Sequence, residues 1–310
     1  MAVTDTPPAR PQPARRPRLI ATDLDGTLLR DDKTVSARTL EALAAASDAG
    51  IETVFVTGRP TRWMHVVGDV HDRTVAICAN GAVVVDLADG RLMEVHPLAH
   101  GDALATAAAL RAGIPGITFA VERTTGIHYE PDYPPFFPDP HADIAPVEKL
   151  LAPGPPHAGA PVIKLLARHT TMDPDELLAR AREVAHGYGE FTRSSPSALL
   201  EVSRAGVSKA TTLAAYCARR GLGPGDVVAF GDMPNDLAML TWAGRSYAMA
   251  NAHPDVLAVT THRTGTNTED GVATAIEAML AESAAAPGRP ESAAQGITSP
   301  ARVRTPAAVN

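Results

Sequence analysis

The chain has 310 residues, 45% of them hydrophobic, and a formal net charge of −7 at pH 7. That length accommodates a core domain with a second domain inserted in it, and the apolar content suffices for an ordinary buried core. An acidic balance with no basic face outside the ends argues against a nucleic-acid-binding protein, and no apolar run approaches the about 18 residues that a membrane helix requires.

Residues 1–17 are mostly Ala, Pro, Arg and Thr without a signal peptide's apolar segment. They read as a disordered leader of a cytoplasmic protein, and 283–310 as a disordered tail. A buried strand is expected over 18–22, and Asp23-Leu24-Asp25-Gly26-Thr27-Leu28-Leu29 leaves its carboxyl end. Ser36 can cap a helix carrying Leu40 and Leu43 that stops at Gly50. A strand over 51–56 then ends in Thr57-Gly58-Arg59, and a helix around 63–70 leads to a strand over 75–79. Asp89-Gly90 between two apolar segments predicts a hairpin closed by a type I′ turn.

From 86 to 203 the rhythm changes to an inserted α/β domain, with helices near 100–112 and 173–187 and strands near 116–122, 125–130, 161–167 and 198–203. The βα alternation returns with a helix opening at Lys209 and strands over 227–230 and 246–249. A last helix over 268–280 follows, capped by Thr268. The core domain is therefore 18–85 with 204–282, and the fold class is α/β with a doubly wound parallel sheet. Cys78 and Cys217 read as small buried residues rather than a disulfide or metal pair.

Alternation along an extended segment puts Asp23 and Asp25 on one side and Leu24 on the other. Two carboxylates that close need a cation or a proton to compensate them. Thr57 and Gly58 offer a hydroxyl and an amide to a phosphate. Lys209 adds a positive charge to the free amides of a helix N-terminus, which favours a bound anion. In Phe230-Gly231-Asp232-Met233-Pro234-Asn235-Asp236, acidic residues follow a buried strand and open a helix. Oxygen ligands from separate strand ends suit Mg²⁺. Each segment alone has an ordinary structural reading; four in this order point to displacement at phosphorus by a carboxylate.

The four segments resemble the motifs of haloacid dehalogenase-like phosphohydrolases, above all the Cof-type members, whose large α/β cap follows the second motif. The stretch from Ala248 to Ala252 and the one from Thr264 to Ala273 resemble later segments of that subfamily, although Ala250 stands where glycine is usual. The resemblance implies a Rossmann-like core and Mg²⁺-dependent hydrolysis of a small phosphorylated metabolite. Asp23 would attack phosphorus and carry the aspartyl-phosphate; Asp25 would protonate the leaving oxygen and then deprotonate water. Asp23, Asp25 through its backbone carbonyl, and Asp232 would hold Mg²⁺. Leu24, Thr57, Gly58, Lys209 and Asn235 would contact the phosphoryl group, with Asp236 orienting Lys209 or a metal-bound water. A phosphotransferase, a phosphomutase and a catalytically weak phosphometabolite-binding regulator stay open as alternatives.

The leaving group is a sugar, or an aromatic or nucleotide-type group as in FMN or pyridoxal phosphate. The insertion offers Arg123, Tyr129, Tyr133, Phe136 and Phe137 along a Pro-rich stretch. These aromatics read either as a lid that stacks on a ring or as a stiffened loop packed on the cap. His128 and His157 read as solvated loop histidines.

Overall fold

The computed structural model describes residues 16–68, 70, 74–154, 157–195 and 197–285. Most of the expected leader and tail lies outside these residues. Of the part described, Pro17 is buried, Arg16 donates to the Ala49 carbonyl, and residues 283–285 continue the last helix instead of opening a tail.

In chain order the elements are β1 (Leu19–Thr22), α1 (Ala37–Asp48), β2 (Glu52–Val56), β3 (Val75–Cys78), β4 (Val83–Asp86), β5 (Leu92–Val95), α2 (His100–Gly113), β6 (Thr118–Arg123) and β7 (Gly126–Tyr129). There follow α3 (Val147–Leu151), β8 (Val162–Arg168), α4 (Pro174–Val184), β9 (Glu190–Thr192) and β10 (Leu199–Ser203). The chain closes with α5 (Lys209–Arg219), β11 (Val227–Gly231), α6 (Leu237–Trp242), β12 (Arg245–Ala248), α7 (Pro254–Val259), β13 (His262–Arg263) and α8 (Gly271–Ala285).

The larger sheet has the order β13-β12-β11-β1-β2-β3-β4-β5. Its strands run parallel from β13 to β3, and β4 and β5 are antiparallel additions at one edge. The chain walks outward from β1 to β2 and β3, then returns after the insertion to β11 on the other side of β1. Strand order reverses there, and ligands of doubly wound sheets bind at such a point, outside the carboxyl ends.

Ile20 of β1 joins Leu43 and Ile276 in one core, while Leu19 and Ala21 join Leu213, Tyr216 and Leu240 in another. Burial on both faces explains why these strands read as continuous apolar runs. The second sheet, in the order β7-β6-β8-β10-β9, is antiparallel throughout. Phe119, Val121, Leu165, Leu200 and Val202 pack on one of its faces with Leu110 of α2 and Leu177 of α4.

Several expectations change in detail. β5, read as part of the insertion, pairs in the larger sheet. Its hairpin does not use a type I′ turn: Gly90 has φ +72, but Asp89 is not among the residues of positive φ. Residues 61–67 form a 3₁₀ helix. Ser36 caps α1 by accepting from Thr39 N, as expected. At the last helix, however, Thr266 caps a preceding 3₁₀ turn, and left-handed Asp270 separates that turn from α8. Cys78 and Cys217 are both buried.

Candidate active site

β1 carries Asp23 into the crevice and turns Leu24 back into the core, where its side chain cannot reach a ligand. Asp23 N donates to the Phe230 carbonyl (3.0 Å), which ties the end of β1 to β11. Lys209, the first residue of α5 after the Ser208 cap, extends behind Asp23 with its side chain fully buried. Its ammonium donates to Asp23 Oδ1 (2.6 Å) and Asp236 Oδ1 (2.7 Å). Asp236 Oδ2 accepts from the Asp232 and Met233 amides, both at 3.1 Å. Both Asp236 oxygens are thereby committed. Asp232 accepts from the Thr27 hydroxyl (2.8 Å).

Carboxylate oxygens of Asp23, Asp232 and Asp236 lie within 4.8 Å of one another. Burial, with the charges of Asp236 and Asp232, pushes the Asp23 carboxyl well up against the pull of Lys209. Burial and then Asp236 push Asp232 up to about 7. Burial opposes the Lys209 charge, but Asp23 and Asp236 outweigh it and hold its pKa above the ordinary lysine value. Three buried carboxylates facing one ammonium leave net negative charge on hard oxygen donors, which fits a divalent cation. The free donors belong to Asp23 and Asp232, since Asp236 is spent on Lys209 and the backbone.

Asp25 sits in front of this cluster. Burial would raise its pKa, but Arg59 (2.5 and 2.7 Å) and Lys33 (2.9 Å) outweigh burial and hold the carboxyl below the usual range. At the end of β2, Thr57 Oγ1 accepts from the Arg59 amide (3.1 Å). Asn235 Nδ2 donates to Asn80 Oδ1 (3.1 Å), while Asn235 Oδ1 is buried and finds no partner among the described residues.

A cleft of about 910 Å³ opens over these groups, lined by Asp23, Asp25, Thr57, Gly58, Asp232 and Asn235. Leu24, Lys209 and Asp236 are not part of its lining and stand behind it. The opposite wall comes from the smaller sheet and includes Glu122, Lys164 and Glu201. The aromatic stretch divides. Tyr129 and Tyr133 are buried and stack on each other (centroids 5.9 Å apart), whereas Phe136 and Phe137 stay exposed along the cleft. Phe137 meets Trp63 edge to face at 6.1 Å, and the Arg168 guanidinium lies 3.9 Å over Phe136.

Arg123 lies elsewhere, buried and donating to the Ala160 and Leu150 carbonyls. The expectation of two solvated loop histidines fails for His128 on both counts. For His157 it fails only on solvation, since that residue does lie in a loop but its side chain is largely enclosed. His128 is buried on β7, and its ring centroid lies 4.3 Å from that of His157, with Asp143 alongside both. Sequence reasoning missed Arg59 and Lys33 as partners of Asp25. It also missed the charged wall, whose one signal was an isolated charge, such as Lys164 or Glu201, inside an otherwise apolar strand.

An open doubly wound sheet with a lysine and clustered aspartates at its switch point, covered by an inserted antiparallel sheet, defines a capped α/β hydrolase. The chain belongs to the haloacid dehalogenase-like hydrolase family, whose model matches residues 20–276, and it is of the Cof type. It is 32% identical to the pyridoxal phosphate phosphatase YbhA of Escherichia coli, over 85% of this chain and 98% of that one. It is 29% identical to the 5-amino-6-(5-phospho-D-ribitylamino)uracil phosphatase YitU of Bacillus subtilis, over 83% and 96%. Among solved structures it resembles the phosphatase BT1666 of Bacteroides thetaiotaomicron, with a TM-score of 0.72, 24% identity, and 89% and 99% of the two chains covered. Among the described residues, no helix is long and apolar enough to cross a membrane.

Proposed function

We propose that this protein is a Mg²⁺-dependent phosphatase that hydrolyses the monoester of a small phosphorylated metabolite through an aspartyl-phosphate on Asp23. The observation that carries the reading is the setting of Asp23. It is buried at the floor of a large cleft, one oxygen is fixed by Lys209, and the Asp232 carboxylate stands beside it.

Asp23 bonds to phosphorus as the ester P–O bond breaks, and the leaving oxygen takes a proton from Asp25. Water then attacks the acyl phosphate and gives a proton back to Asp25, which restores Asp23 and releases phosphate. Arg59 and Lys33 favour ionised Asp25, the form that the second step needs. The first step requires the incoming ester to displace the Arg59 fork, so that Asp25 meets the leaving oxygen with its proton. Thr57, the amides of Leu24 and Gly58, and Asn235 hold the phosphoryl oxygens, and Lys209 fixes Asp23 in line. Asp236 keeps Lys209 in place. Mg²⁺, held by Asp23, Asp232 and the Asp25 carbonyl, would supply charge neutralisation at the phosphoryl group. The five-stranded sheet acts as the cap and excludes water from the cleft.

The pyridoxal phosphate phosphatase and the 5-amino-6-(5-phospho-D-ribitylamino)uracil phosphatase act on ring-bearing phosphates, and Trp63, Phe136 and Phe137 give this cleft apolar surface for such a group. The test is phosphate release from a panel of phosphorylated metabolites, with Mg²⁺ and with a chelator. Turnover that needs Mg²⁺ and is lost in Asp23→Asn supports the reading; turnover that survives either change overturns it.

A further inference from the structure

The cap face that looks into the cleft carries a row of buried charges that the reaction above does not use. Glu122 on β6 lies directly opposite Lys164 on β8, and Glu201 follows on the neighbouring β10. Each is tied to a segment that connects strands of the larger sheet. Arg62 grips Glu122 with both arms, Lys164 donates to the Gly58 carbonyl (2.9 Å), and Glu201 accepts from Asn80 (2.6 Å). Lys164 and Glu201 also pair with each other at 2.7 Å and are 4% and 2% exposed.

Stability does not account for this pair. Desolvating two charges costs about what their attraction returns, and an apolar pair of the same shape would serve a sheet equally well. Their location gives the better reason, because Lys164 touches Gly58, which our functional reading places against the phosphate. Asn80, held at φ +55, bonds Glu201 with its amide nitrogen and Asn235 with its oxygen. The pair is thereby fixed in register with the phosphate site.

The open valences then identify the ligand. An ammonium has three protons, and Lys164 spends two, on Gly58 and on Glu201. A carboxylate has about four lone-pair sites. Glu201 uses three of them among the described residues, for Asn80, Lys164 and the Ser194 hydroxyl. Among the described residues one donor and one acceptor remain, side by side, on the cleft wall. A hydroxyl group needs that combination, an acceptor for its proton and a donor for its oxygen.

We propose that Lys164 and Glu201 form a specificity element that binds a hydroxyl on the carbons next to the phosphate ester. The preferred substrates are then phosphate esters of polyols or sugars, with or without a ring further out along Trp63 and Phe137. Esters whose phosphate arm leads straight to an aromatic ring are disfavoured. The inference rests on the phosphatase reading.

The test uses the full chain with Mg²⁺ and compares kcat/KM for sorbitol phosphate and ribose phosphate with that for pyridoxal phosphate and nitrophenyl phosphate. Wild type should prefer the hydroxylated esters. Glu201→Gln and Lys164→Met should raise KM for those esters by about 10- to 100-fold, the range for a hydrogen bond to a charged group. Their loss on hydroxylated esters should exceed their loss on nitrophenyl phosphate by at least about tenfold. Glu201→Asp should recover part of the difference. Equal losses on both ester types would make the pair a tie between the two sheets and overturn the proposal. So would a wild type that prefers pyridoxal phosphate, a comparison that needs no variant to fold. A wild type that hydrolyses nothing on the panel would overturn the phosphatase reading itself, which is a separate result.

Discussion

A Cβ built on Gly26 would lie 2.2 Å from Oδ2 of Asp232, although more than two hundred positions separate the two residues. Gly26 also holds φ +78, a conformation that costs an L side chain about 1–2 kcal/mol. Gly26→Ala should therefore lose about that much stability in urea unfolding. It should also move Asp232 off the Thr27 hydroxyl and raise the Mg²⁺ concentration needed for half-maximal activity. A variant with a normal Mg²⁺ requirement would show that Asp232 tolerates displacement and is not a ligand.

Asp23 and Lys209 separate chemistry from folding. Asp23→Asn keeps the shape of the side chain and removes a buried charge, so the fold should persist while turnover falls on the order of 10⁴-fold, as for other covalent catalysts. Lys209→Met leaves Asp23 and Asp236 buried without their cation. It should cost about 3–5 kcal/mol in unfolding free energy as well as activity. If Lys209→Met were as stable as wild type, the ammonium would not be what balances the cluster.

Much of this site is legible in the sequence because its residues follow the ends of apolar strands. Asp23, Thr57 and Asp232 each follow the end of a strand, whereas the reversal at β1 emerges only from the pairing of β11 with its free side. Lys209 is marked by its cap, Ser208. The cap wall is harder to read. Lys164 and Glu201 stand in segments that read as buried strands, and only strand pairing brings the two together. The His128 environment is equally non-local, because it depends on loops around Asp143 and His157. The turn at Asp89-Gly90 misled because only the glycine adopts positive φ. β9, with three residues, is too short to carry a pattern.

Mg²⁺ and protons should compete for Asp232. Its pKa is pushed to about 7 by burial and then by Asp236, and a cation binds only the ionised form. As pH falls below about 7, the half-saturating Mg²⁺ concentration should rise by up to about tenfold per unit, and Mg²⁺ binding should release a proton. EDTA should abolish activity across the whole range, and added Mg²⁺ should restore it. Calorimetry in buffers of different ionisation enthalpy measures the proton release. A Mg²⁺ requirement that does not change with pH would mean that Asp232 is already ionised without the cation.

Stability should show its own pH dependence, set in the cap by His128. Burial, then the neighbouring His157, holds the His128 pKa below its ordinary value of 6.5 against the pull of Asp143. His157 is lowered too, by burial and by Arg123. The unfolded chain therefore binds more protons than the folded one in the window just below that value. Stability contributed by the neutral rings is complete above pH 6.5 and declines as pH falls through that window. Protonation of His128 also ends its acceptance of the Asp143 amide at Nδ1 (3.1 Å), which anchors the loop to β7. The urea midpoint should accordingly drop between about pH 7.5 and about pH 5.5. His128→Gln cannot take up a proton but can still accept from the Asp143 amide, so its midpoint should fall less over the same interval. Equal slopes for wild type and variant would assign the acid sensitivity to other groups.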